Sequence, residues 1–256
     1  MITSLPNNAI IAAVQFEPKP LDVRHNLAHA LQLTFEAAAK GAGLIVLPEL
    51  CTSGLVIRDR KEASQVAQTR GGYQTEMFVP ICQKFNCHVV FGFVELQEGK
   101  LYNSAAIVGQ MGVKGVAQKH NLDGSDNLWA EASESMSPLI ITRAGRTGAL
   151  ITRDVMNCYN ESFGLTRALD QHFYQKGSVD TIALLASWTG DYSFPSSEWV
   201  ELSEQTCTNV AVANRVGTDR DMHFKGGSCI ISRGGRVWTN GSNFTGAAVV
   251  GGVALL

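Results

Sequence analysis

Short apolar runs rich in Val, Ile and Ala recur along the whole chain with helix-forming stretches between some of them, and this alternation restricts the fold more than any other feature. The runs are AIIAAVQF (9–16), GLIVLPEL (43–50), HVVFGFVEL (88–96), YNSAAIVG (102–109), GALITRD (148–154), VDTIALLASW (179–188), NVAVANRV (209–216) and GSCIISRGGRVW (227–238). Runs this short and this apolar read as strands, several of them buried on both faces. Between the first two, Leu27, Leu31, Phe35 and Ala38 fall at helical spacing, with Gly41 and Gly43 as a stop. Further helices are expected through Met77–Phe85, over 165–174 ending at Gly177, and from Glu198 to about Thr206. SAAIVGQMGVKGVAQ and SCIISRGGRVWTNG read as hairpins with glycine-containing turns, and the C-terminal GAAVVGGVALL reads as a closing strand or an interface segment. No linker, composition shift or fixed-period repeat divides the chain. One α/β domain over residues 1–256, with helices outside packed mixed sheets, is the expectation.

Composition narrows the partners. The chain has 256 residues and a formal charge of -2, with no long basic run to engage nucleic acid or an anionic membrane surface. Neither a secretory leader pattern nor an apolar stretch of membrane-spanning length stands out, so a cytoplasmic address is expected. The six cysteines are scattered without a CxxC pair, which suggests small buried residues rather than a zinc site or a disulfide framework. His25 and His29 lie four apart on the first helix but lack a third ligand at a fitting distance. No GxGxxG follows a strand and no Walker-type loop occurs. No metal or organic cofactor is expected.

Three strand ends carry polar residues where the apolar pattern predicts a plain stop: Glu49 in LIVLPELCTSG, Lys119 in GVAQKHNL, and the elbow GALITRDVMNCYNESF (148–163). With AAVQFEP, VVFGFVE, YNSAAIV, ALLASW and VANRVGTDRDMHFKGGSCIISRGGRV in the same order, these segments resemble the nitrilase superfamily of carbon–nitrogen hydrolases across nearly the whole chain. The resemblance implies a four-layer α-β-β-α sandwich that dimerises through helices near the elbow. It also implies hydrolysis of a small amide, carbamoyl compound or nitrile, amide being preferred. Glu49 would be the general base, Lys119 the stabiliser of the tetrahedral oxyanion, and a residue of the elbow the nucleophile that forms an acyl-enzyme.

The elbow offers two nucleophiles. Anchored on the strand, GALITRD puts Thr152 in the position where the family has cysteine and Asp154 in the acidic position after it. Anchored on the segment beyond the strand, NCYNESFGLTR puts Cys158 first, with Tyr159, Asn160, Phe163 and Arg167 in family-like places. That second register needs about six more residues before the nucleophile, which a strand interior absorbs only by losing register or bulging. Thr152 is the preferred occupant and Cys158 the alternative. A threonine hydroxyl ionises far less readily than a thiol and its methyl crowds the attack path, so a weakly active or inactive homologue that keeps the pocket is the rival reading. The resemblance also implies an acid between Lys119 and the elbow that helps position substrate; among Asp126, Glu131 and Glu134, Glu131 is the first choice, and of Trp188 and Trp199, which flank TGDYSFPSSE, Trp188 is expected to line the pocket.

Overall fold

The computed structural model describes residues 8–156, 179–189, 197–239 and 247–254. Fourteen strands form two six-stranded sheets and a separate hairpin among these residues. The first sheet contains β1 (Asn8–Gln15), β2 (Leu44–Val46), β3 (His88–Gln97), β4 (Lys100–Gly109), β5 (Gly112–Gln118) and β14 (Ala247–Ala254), in the order β14-β1-β2-β3-β4-β5. The second contains β6 (Ile140–Thr142), β7 (Gly145–Ile151), β8 (Thr181–Leu185), β9 (Asn209–Ala213), β12 (Cys229–Ile231) and β13 (Val237–Thr239), in the order β13-β12-β9-β8-β7-β6. Each sheet has three parallel strands at its centre, β1-β2-β3 in one and β7-β8-β9 in the other, flanked by antiparallel strands. Strands buried on both sides explain why the sequence shows continuous apolar runs instead of alternation.

Three apolar clusters define four layers. Helices α1 (Val23–Ala39) and α4 (Val79–Phe85) pack on the outer face of the first sheet through Leu27, Ala30, Leu33, Phe78 and Phe91. Between the sheets lie Ile11, Val46, Val90, Ala149, Ala183 and Ala211. Beyond the second sheet, Trp199 of the helix Ser197–Thr206 packs among Leu184, Val210, Val212 and Ile231. The α-β-β-α sandwich is the architecture expected, as are the two glycine-turn hairpins, β4–β5 and β12–β13, and the closing strand β14, which pairs antiparallel with β1. The helix expected over 165–174 lies outside the described residues. The short helices α2 (Arg60–Val66) and α3 (Tyr73–Glu76) and the hairpin β10 (Val216–Asp219)–β11 (Met222–Lys225) were not anticipated.

α1 is started by the Asp22 side chain, which accepts the His25 amide at 3.0 Å, satisfying an otherwise orphaned donor of the first turn. Of the cysteines described, Cys51, Cys82, Cys87 and Cys229 are buried and Cys207 is exposed, all with free thiols. Burial pushes the Cys51 and Cys229 thiols up to about 12, so neither is poised to react. No described helix is long and apolar enough to cross a membrane.

Candidate active site

Pro48 ends the β2 segment and the chain turns at Leu50, whose φ is +44°, which leaves Glu49 at the strand tip with only 2% of its surface exposed. This turn lies against β3 at Gly92, where a Cβ would sit 2.3 Å from the Leu50 nitrogen and 2.8 Å from the Pro48 oxygen. Only glycine tolerates that approach. Glu49 Oε1 accepts from Lys119 Nζ at 2.8 Å and from the Asn103 amide of β4 at 2.8 Å. Its Oε2 faces the other sheet, where Thr152 Oγ1 stands 3.4 Å away.

Lys119 follows β5 directly and is as enclosed as Glu49. Its ammonium donates to Glu49, to Asp126 Oδ2 at 2.6 Å and to Asp123 Oδ1 at 2.7 Å. Burial opposes the charge, but the three carboxylates outweigh it and hold the ammonium well above the ordinary lysine range. Asp126 lies in the 3-10 helix Gly124–Leu128 and is itself buried. Desolvation pushes its carboxyl up to about 6 against the pull of Lys119, and the neighbouring Glu49 and Asp123 act in the same direction.

Thr152 comes immediately after β7, the central strand that pairs with β8. Its amide and its hydroxyl both approach the Leu185 carbonyl at 3.0 Å, and the Ser187 amide reaches the hydroxyl at 3.3 Å. The next residues open the short helix α5 (Arg153–Met156). Asp154 turns inward and accepts the His120 and Asn121 amides at 3.0 and 2.8 Å, tying the elbow to the segment after Lys119. Burial raises this carboxyl to about 7 despite those bonds.

The structure therefore brings Glu49, Lys119 and Thr152 together, and Cys158 lies outside the described residues. Trp188 borders a cavity of about 260 Å³ that also touches Glu49, Asp123, Thr152, Arg153 and Met222. Its ring meets Trp199 edge-on at 6.0 Å. Glu131 does not reach this cavity. Its amide bonds the Leu101 carbonyl at 2.8 Å, and its half-exposed carboxylate stands 3.9 Å from Arg60. Of Asp126, Glu131 and Glu134, Asp126 is the one brought to the ammonium, beside Asp123. Asn103, Asp123, Arg153 and Ser187 escaped the sequence reading. Asn103 left one signal, an amide inside the otherwise apolar run YNSAAIVG. Among the described residues no three His, Cys, Asp or Glu side chains are disposed to hold a metal ion, and the carboxylates that converge here close on an ammonium.

A family comparison covers nearly the whole of this doubled six-stranded sandwich: the sequence profile described as Carbon-nitrogen hydrolase matches residues 10–251. The chain belongs to the carbon–nitrogen hydrolase family. This carbon–nitrogen hydrolase is 28% identical over 241 residues to a probable nitrilase of Schizosaccharomyces pombe, covering 90% of this chain and 82% of that one. It is 30% identical over 223 residues to a nitrilase of Pyrococcus abyssi, covering 87% and 80%. The amidase from Nesterenkonia sp. AN1 superposes with a TM-score of 0.81 at 19% identity, over 98% of this chain and 93% of the amidase, which bears on the fold alone. With nitrilases and amidases as its relatives, the chain is an amidase-like hydrolase.

Proposed function

We propose that the chain hydrolyses a small neutral amide through a covalent acyl-enzyme on Thr152. The observation that carries this reading is the position of the Thr152 hydroxyl, 3.4 Å from the free oxygen of a carboxylate whose other oxygen is ion-paired with Lys119 at 2.8 Å. Glu49 Oε2 takes the hydroxyl proton as Oγ1 bonds to the substrate carbonyl carbon and the carbonyl electron pair moves onto oxygen. Lys119 and a backbone N–H of the elbow stabilise that oxyanion. Glu49 then returns the proton to the departing nitrogen, the C–N bond breaks, and water attacks the ester with Glu49 again as base. Trp188 and Met222 supply apolar contact in the cavity. In a related fold, a variant of the Nesterenkonia amidase carries the acetamide moiety of fluoroacetamide on its active-site cysteine, an adduct that marks that cysteine as a nucleophile. A homodimer, a cytoplasmic location and one domain over residues 1–256 complete the proposal.

A second reading, a catalytically impaired homologue that keeps the pocket for binding, draws on one contact. The hydroxyl lies nearer the Leu185 carbonyl, at 3.0 Å, than Glu49, and a hydroxyl has one proton to donate. Ammonia release from a panel of simple amides and nitriles separates the two. Turnover is expected to be slow in the natural chain, to rise at least tenfold in Thr152→Cys because a thiolate forms far more readily, to vanish in Thr152→Ala and to change little in Cys158→Ala. Loss of turnover in Cys158→Ala with none in Thr152→Ala would move the nucleophile to Cys158. Amide binding without ammonia release in the natural chain would favour the second reading.

A further inference from the structure

An ammonium has three N–H donors, and in this site all three of Lys119 are taken, by Glu49, Asp126 and Asp123 at 2.8, 2.6 and 2.7 Å. None is left for a substrate oxygen. Two of the acceptors are fixtures: Glu49 and Asp126 are both enclosed, and the Asn103 amide contacts both, Glu49 at 2.8 Å and each Asp126 oxygen at 3.3 Å. Asp123 differs in each respect. Its side chain is 42% exposed, it borders the cavity, and no amide group of the enclosed network touches it. It occupies the N-cap position of the 3-10 helix Gly124–Leu128, yet its carboxylate caps no backbone amide there. It has a second cation within reach instead, Arg153 Nε at 3.5 Å from Oδ2, and Arg153 borders the same cavity with a 43% exposed side chain.

We propose, resting on the hydrolytic reading above, that Asp123 is a displaceable plug: its carboxylate occupies the Lys119 donor on which an amide oxygen or the acid product must land, and ligand entry moves it onto Arg153. A carboxylate bound between Lys119 and Arg153 is the chemical likeness of the acid that amide hydrolysis releases. Asp123 meets the ammonium as a full opposite charge whereas an amide oxygen brings only a dipole, so a neutral amide competes for this donor at a disadvantage. A ligand that binds only the unplugged state loses apparent affinity by the fraction of time the site is open, about tenfold for a plug in place ~90% of the time.

The test uses propionamide and propionate as probes, titrated calorimetrically into the natural chain, Asp123→Ala, Asp123→Asn and Arg153→Gln, with ammonia release from propionamide measured in parallel. Asp123→Ala is expected to bind propionamide about tenfold more tightly, with KM falling by a similar factor. Asp123→Asn, which keeps an oxygen but no charge, should fall between it and the natural chain. Arg153→Gln, which removes the landing place, should bind more weakly. The use of a neutral probe matters, because tighter propionate binding alone would follow from removing any negative charge. Propionamide affinity that is unchanged or weaker in both Asp123 variants, or undetectable in every protein at millimolar concentration, overturns the plug. If no variant releases ammonia, the hydrolytic reading fails while tighter propionamide binding still supports the plug; release without tightening overturns the plug alone.

Discussion

The two oxygens of Glu49 have different surroundings, and that asymmetry is the basis of the proposed chemistry. Oε1 is held by Lys119 and Asn103, whereas Oε2 faces Thr152, so proton transfer does not require the carboxylate to break its anchoring bonds. Both Glu49 and Lys119 were legible as polar residues ending apolar runs. Asp126 was one of three acids in an irregular stretch, and periodicity does not say which of three loop acids turns inward. Asp154 permits a prediction at this scale. Desolvation raises its carboxyl to about 7 from 3.8, so the native state keeps a proton that the unfolded chain has already released. Stability from this group is complete below about pH 4 and is lost as the pH rises through 7. Unfolding in denaturant at pH 5, 6 and 7.5 should show the natural chain losing stability relative to Asp154→Asn by up to about 1.4 kcal/mol per pH unit. A difference independent of pH would refute the raised value.

Among the elements, the turn after β2 is the part on which Glu49 depends. Gly92 on β3 leaves space for that turn, and its amide bonds the Pro48 carbonyl at 3.3 Å. Gly92→Ala would push a methyl against the backbone at Leu50. The substitution is expected to destabilise the fold by about 1–3 kcal/mol and to lower ammonia release beyond what the lost stability explains, as read by thermal melting beside steady-state rates. Long apolar strands and glycine-turn hairpins were readable because burial on both faces and left-handed turns each demand particular residues. The β10–β11 hairpin was not. Its strands are four residues each, and the fully buried pair Arg215 and Asp219, 2.6 Å apart, puts charges where a core strand should be apolar. Asp219 also accepts the Leu55 amide at 2.7 Å, joining this hairpin to the loop beyond Glu49. That contact has no local signature, since the partners are 164 positions apart.

At the scale of the whole molecule, the site exists only because the two sheets stack. Glu49 and Lys119 belong to one sheet, Thr152 and Trp188 to the other, and the cavity lies where the strand ends meet. Ala149, Ala183 and Ala211 stand side by side on β7, β8 and β9 and are buried in the layer between the sheets. Small side chains there set how closely the sheets approach. Ala183→Leu is therefore expected to cost about 1–3 kcal/mol of stability by overpacking and to reduce kcat by widening the gap between Thr152 and Glu49, with KM less affected. A stable variant with unchanged kcat would show that the spacing is held elsewhere. The sequence by itself determined the layered α/β class, the family, and the positions of Glu49, Lys119 and the elbow, because burial and strand termination are local demands written residue by residue. Which acid meets Lys119, that Asp123 takes its last donor, and that the residue after β7 faces Glu49 were decided by the tertiary structure. Those contacts join strand ends and loops from separate stretches of chain, and their distances depend on how the sheets stack.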